Sequence, residues 1–254
     1  LIDTHAHVHA RAFEKDRAAV IDRVWASGGR FLIEVNITAE DWPRVLAMGE
    51  SDPRIFVTVG IHPHDSGATA AADLDRLLAQ AGHPRVRAIG ETGLDYFRDY
   101  APHEIQRDFF RRHVAAARET GLPLVVHARA AHEDVLRILE EEGRGRVRGV
   151  MHCFSGDEEI ARRSGDLGFL LGFGGAVTYN PRTSAPLLRA IGLDRMVLET
   201  DCPYLTPHPR RNDRNEPANI PAIAEAIAGY LEIDVAEVER VTDANAIRLF
   251  NLPG

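Results

Sequence analysis

The chain has 254 residues, 44% hydrophobic and 27% charged, a balance that suits a globular protein able to bury a sizeable core. Its formal charge of −8 argues against a passive coat for duplex nucleic acid, which would bind by neutralising phosphates, but not against an enzyme that grips a few phosphates locally. No apolar run approaches the roughly 18 residues of a membrane helix, no basic stretch precedes an apolar one as in a secretory signal, and Cys153 and Cys202 are too few for a disulfide framework, so a reducing cytoplasm is the expected location. In chain order, short apolar runs read as strands at residues 1–4, 30–35, 55–60, 86–90, 123–126, 149–151, 169–172 and 195–198. Amphipathic stretches read as helices between them, at 11–27, 39–48, 70–81, 103–120, 131–142, 157–164 and 182–191, and a longer one at 217–231 follows the last strand. Segment 203–217, rich in Pro, Arg and Asn, reads as a long loop. The tail, 234–250, reads as two short amphipathic pieces, with Thr242 and Asn245 as helix-start and packing residues.

Strands alternating with helices imply parallel pairing through crossover helices. Eight such units in about 250 residues fit an α/β fold of the (β/α)8 TIM-barrel kind. An open doubly wound sheet is the runner-up, disfavoured because no G-x-G-x-x-G follows the first strand. With no linker, charge block or composition break, residues 1–254 read as one domain.

The chemistry-bearing residues gather at strand ends, and in a barrel the C-terminal ends form the active face. The first strand ends in Asp3-Thr4-His5-Ala6-His7; side chains two apart on a strand share a face, so His5 and His7 can share a cation. Glu91 follows the fourth strand, His127 the fifth, His152 the sixth and Asp201 the eighth. Each alone has an ordinary structural explanation, but together they put six ligand-type side chains at one barrel mouth. Six exceed what a single tetrahedral zinc with an open position needs and suit two divalent ions sharing a carboxylate. Imidazole with carboxylate favours Zn²⁺, Mn²⁺, Fe or Co, and Mg²⁺ would ordinarily take more oxygen ligands. Lys15, inside the first helix, is the only lysine, which excludes a carboxylated lysine as the bridge and leaves Glu91 as the best candidate.

The motifs resemble those of the TatD family of metal-dependent hydrolases, among the amidohydrolase-like barrels. The resemblance runs over nearly the whole chain: Asp3 through His7, Gly60-Ile61-His62-Pro63-His64, Gly90 through Tyr96, Pro123 through His127 with Arg129, His152 through Gly156, Glu199-Thr200-Asp201 with Pro203-Tyr204-Leu205, and Asn215-Glu216-Pro217. It implies one metal held by His5, His7, Glu91 and Asp201, and a second held by Glu91, His127 and His152. It also implies hydrolysis of phosphodiester bonds at DNA ends, as by a deoxyribonuclease of 3′–5′ exonuclease type, with single-stranded or frayed DNA as substrate. Some relatives act on other ester bonds. Two positions depart from the family pattern: His9 stands where an aspartate is usual, and Asn212 where a glycine is common.

Two metals can clamp the attacking and leaving oxygens of a phosphoryl displacement. Asp201 is the candidate base for the attacking water, alongside Glu91. His62 and His64 are candidates to touch the phosphate or protonate the leaving group, against a plain loop role around Pro63. Arg129 is a candidate phosphate clamp, because its planar fork matches phosphate oxygens; a salt bridge is the alternative. Asp95 and Asp134 read as carboxylates orienting histidines, or as helix caps. Tyr96 and Phe154 are candidates to stack on a base, or to pack in loops. Cys153 and Cys202 read as small buried packing. Arg210, Arg211 and Arg214 are candidates to steer a polyanion, or belong to a solvated loop. Two other functions stay open: hydrolysis of a carboxylic ester, amide or aminoacyl ester, and a barrel with structural metals that serves as an interaction module.

Overall fold

The computed structural model describes residues 1–98 and 100–254. Eight parallel strands pair strictly in chain order: β1 (Ile2–Ala6), β2 (Phe31–Glu34), β3 (Ile55–Val59), β4 (Val86–Asp95), β5 (Leu124–Arg129), β6 (Gly149–Met151), β7 (Phe169–Phe173) and β8 (Met196–Leu198). A parallel bridge between Ala6 and Cys202 brings the last strand back to the first. The result is a (β/α)8 barrel. Around it lie α1 (Arg17–Ala26), α2 (Trp42–Ser51), α3 (Ala71–Leu78), α4 (His103–Thr120), α5 (His132–Gly143), α6 (Glu158–Asp166), α7 (Pro181–Ile191), α8 (Ile220–Leu231) and α9 (Val235–Phe250). No helix among the described residues is long and apolar enough to cross a membrane.

The strands are Val-, Ile- and Leu-rich because parallel strands are covered on both faces. Val57, Val59, Leu124 and Val126 pack against the helices, whereas Phe56, Val125, Val150 and Val197 join the inner core. Ala246, Leu249 and Phe250 of α9 join that inner cluster. The tail is therefore one continuous helix rather than two pieces: its apolar positions recur at helical spacing against the barrel. Asp234 caps it by accepting the Ala236 N–H. Thr242 and Asn245 are mid-helix. The Asn245 side-chain amide donates to the carbonyls of Met196 and Leu193, tying the helix to the start of β8.

Two other boundary differences bear on the mouth of the barrel. Segment 11–27 divides into a 3-10 turn at Arg11–Phe13 and α1, because the Arg17 guanidinium donates to the carbonyls of Val8 and His9 and holds the preceding loop in place. Strand β4 runs on past Gly90 to Asp95, so Glu91 and Asp95 stand on a strand and not in a loop.

His113 links α4 to the end of β3. Its Nδ1–H donates to the Phe109 carbonyl at 2.7 Å, and its Nε2 accepts the Ile61 N–H at 3.0 Å. Complete burial pushes its pKa down to about 4. A folded-state pKa below the unfolded value gives stability that is present above about pH 6.5 and is lost as pH falls towards 4. Relative to His113→Gln, whose amide keeps one donor and one acceptor, the natural chain is expected to lose on the order of 3 kcal/mol across that window. Urea unfolding of both proteins at pH 7 and pH 4.5 reads this directly, and parallel pH profiles would rule it out.

Candidate metal centre

Glu91 organises the mouth of the barrel. It is 3% exposed, and its two oxygens face different histidines. Oε2 lies 3.3 Å from His5 Nε2 and 3.7 Å from His7 Nε2. Oε1 lies 3.2 Å from His127 Nδ1, 3.2 Å from His152 Nε2 and 3.4 Å from His62 Nε2. Asp201 Oδ1 closes the first group, 3.5 Å from His7 Nε2 and 3.7 Å from His5 Nε2. All six side chains expected as ligands thus converge. His62, expected as a substrate contact, sits within ligand reach as well, its donor atom grouped with those of Glu91 and His127.

The chain reaches this arrangement by breaking strand regularity. Leu1 packs in the helix layer and Ile2 in the inner core; strict alternation would turn His5 and His7 outward. The β1–β2 register shifts between Asp3 and Ala6, and both imidazoles face the mouth. Likewise, with Ala88 inward, alternation would turn Glu91 outward, but the β4–β5 register shifts between Ile89 and Thr92. Such irregularities re-aim side chains next to functional sites.

Three further carboxylates hold histidine rings in place. Asp95 Oδ2 lies 3.1 Å from His127 Nε2 and 2.8 Å from His64 Nε2, as expected for an orienting group. Glu199 Oε1 lies 3.3 Å from His152 Nδ1 and accepts the Cys153 N–H. Glu34 accepts the backbone N–H groups of Val8 and His9, and its Oε1 is 2.5 Å from His9 Nδ1. The imidazole at the position that departs from the family pattern therefore has its own buried partner. The sequence assigns no role to Glu34 and gives Glu199 only a place beside Asp201 in a motif; each sits at or just past a strand's C-terminal end, the signal that marks the others. Replacing Asp95 with asparagine is expected to weaken metal affinity or activity by about 10–100-fold, the usual effect of losing a carboxylate behind a ligating histidine. Metal titration of the variant measures it, and an unchanged affinity would make Asp95 a local structural group.

The electrostatics suit cations. Burial alone would raise the pKa of Glu91, but His62, His152 and His5 overcome it and hold the carboxyl well below its ordinary range. Asp201 is likewise held down against burial by His7 and its neighbours. Burial depresses His62 to about 4, which leaves a neutral ring with a lone pair to offer. His5 Nε2 and His7 Nε2 are 3.1 Å apart, both turned toward carboxylate oxygens. Two ring lone pairs and two carboxylates aimed at one point are the donor set of a divalent cation, so these residues fit one.

The centre lies in a cavity of about 660 Å³. His9, His64 and Arg129 line it, with Tyr100, Tyr179 and Tyr204 around its opening. Arg129 stacks on Phe97, 4.2 Å from the ring centroid, instead of pairing with a carboxylate among the described residues. Several other expectations give way to structural roles. Asp134 accepts from the Tyr96 hydroxyl and pairs with Arg137, touching no histidine of the centre. Tyr96 stacks on His103, and Phe154 packs against Phe173. Arg210 pairs with Asp213 and Arg214 with Asp16; only Arg211 lies over a cavity residue, Tyr179. Cys202 is fully buried, as expected, but Cys153 is half-buried and lines the cavity.

A family model described as TatD related DNase matches residues 2–251. The chain belongs to the TatD family. It is 41% identical over 253 residues to the uncharacterised metal-dependent hydrolase YabD of Bacillus subtilis, covering 99% of each chain. It is 32% identical to a protein of Salmonella typhimurium named 3′-5′ ssDNA/RNA exonuclease TatD, again over 99% of each. Among solved structures, the TatD homologue YjjV from Escherichia coli superposes with a TM-score of 0.93 at 28% identity, covering 100% of this chain and 98% of that one. This member of the TatD family is a metal-dependent hydrolase.

Proposed function

We propose that the chain is a binuclear divalent-metal hydrolase that removes nucleotides from single-stranded DNA ends. The observation that carries this reading is the two-sided Glu91, with one oxygen toward His5 and His7 and the other toward His127, His152 and His62. One ion fits His5, His7, Glu91 and Asp201; the other fits Glu91, His127 and His152, with zinc, manganese or magnesium as candidates. When bound, the pair supplies Lewis-acid stabilisation of phosphoryl oxygens. Asp201 takes a proton from the attacking water. The water oxygen bonds to phosphorus, the phosphorus–oxygen bond to the leaving sugar breaks, and that sugar oxygen is protonated from His64, which Asp95 holds at the cavity wall. Arg129 lines the same cavity with a guanidinium suited to phosphate. The names of two relatives as single-strand DNA/RNA exonucleases support the substrate class.

A substrate panel with metal-stripped and reconstituted protein tests this. The expected result is metal-dependent release of mononucleotides from single-stranded DNA, with RNA run alongside. Turnover confined to carboxylic esters, amides or aminoacyl esters would replace the nuclease reading. Elemental analysis giving fewer than two metal equivalents would remove its binuclear part.

A further inference from the structure

Only four large hydrophobic side chains among the described residues are exposed: two of them, Tyr100 at 64% and Tyr204 at 62%, line this cavity, and a third, Phe97 at 61%, lies against Arg129, which lines it too. Water-exposed aromatic surface gathered at one opening marks a place where a ligand is recognised. The rings have cationic partners. Arg129 stacks on Phe97 at 4.2 Å, and Arg211 stacks on Tyr179 at 4.1 Å. These pairs sit on opposite rims. Phe97 and Tyr100 follow β4, while Tyr179 follows β7 and Tyr204 and Arg211 follow β8. In an eight-membered ring of strands taken in order, those positions face one another across the mouth, with Glu91 below and between.

We propose that these rims are two stacking subsites, and that one single strand spans the mouth with a nucleobase on each and the bond to be cut over Glu91 between them. The inference rests on the nuclease reading and adds to it where the strand lies. Bases have π-faces on both sides, and an aromatic side chain can stack only on a base whose face is free; within a duplex the neighbouring bases cover those faces. Phe97 has Arg129 close over its ring and Arg98 farther off at 5.5 Å, and Tyr179 has Arg211; these guanidiniums are able to meet the strand's phosphates while the base takes the exposed aromatic surface. The same rims explain how a chain of net charge −8 attracts a polyanion: the positive charge is local, at the opening.

The test is the titration of a fluorescein-labelled, single-stranded phosphorothioate oligothymidylate, which resists cleavage, against the full chain as purified. Fluorescence anisotropy reads binding independently of turnover. Phe97→Ala and Tyr179→Ala are each expected to weaken binding about tenfold, and the double variant about a hundredfold, since the two rims are far enough apart to act independently. Phe97→Tyr and Tyr179→Phe keep the rings and are expected to bind like the natural chain, which separates stacking from damage to the fold. A duplex of the same backbone is expected to bind at least about tenfold more weakly. Alanine variants that bind within about twofold of the natural chain, or a duplex that competes equally, would overturn the subsites. If the natural chain still releases nucleotides in that case, only the subsites fall. If it neither binds the oligonucleotide nor releases nucleotides, the nuclease reading falls with them.

Discussion

Glu91→Gln is expected to lower kcat/KM at least about a thousandfold. Losing a carboxylate that merely supports a metal-binding histidine already costs about 10–100-fold. Glu91 stands nearer than that: its own oxygens face both histidine groups at 3.2–3.7 Å, so one substitution weakens both sides of the centre. A glutamine keeps the volume but offers one weakly basic oxygen and an amide that points donors at cations. It also removes the negative charge that His5, His62 and His152 surround. Turnover on the best substrate of the panel, elemental analysis of bound metal and circular dichroism together give the answer. A folded variant with full turnover and two metal equivalents would take Glu91 out of the centre. Asp201→Asn is the natural comparison, because the Asp201 carboxylate lies closest to His5 and His7, with His152 farther off, and its loss is expected to weaken the His5–His7 side more than the other.

Gly93→Ala is expected to destabilise the fold by on the order of 3–5 kcal/mol and to disturb the centre at the same time. Gly93 has φ +130°, a conformation open essentially only to glycine, and an added Cβ would stand 2.0 Å from the His127 carbonyl oxygen. That atom belongs to backbone, so relief requires β4 and β5 to part where Glu91 and His127 face each other. Gly229→Ala is the control. It lies in α8 with nothing within 4 Å of the added carbon, and alanine in a helix is expected to stabilise by about 0.5–1 kcal/mol. Urea unfolding of both variants measures the contrast, and equal midpoints would show that the β4–β5 contact yields more easily than its geometry implies.

The ring of carboxylates behind the histidines was only partly legible in sequence. Asp95 could be picked out because it follows Glu91 in one motif. The roles of Glu34 and of Glu199, though Glu199 stands beside Asp201 in a motif, were not legible, because they lie in what the two touch: His9 in the loop after another strand, and His152 after β6. Which aromatic side chains reach the cavity was not legible for the same reason. Tyr96 and Phe154 are near ligands in sequence but pack into the protein, whereas Tyr179 and Tyr204 reach the cavity from loops far along the chain.

The barrel is legible along the chain, because eight apolar runs spaced by amphipathic stretches leave parallel strands and outer helices as the way to bury both faces. So are the residue types that meet at the mouth. Inward orientation of His127, His152 and Asp201 follows from alternation with Val125, Val150 and Val197. For His5, His7 and Glu91 the same rule points the wrong way. The register shifts in β1 and β4 turn them inward. Such a shift depends on how neighbouring strands pair, and a periodicity read along one strand carries no record of its partner.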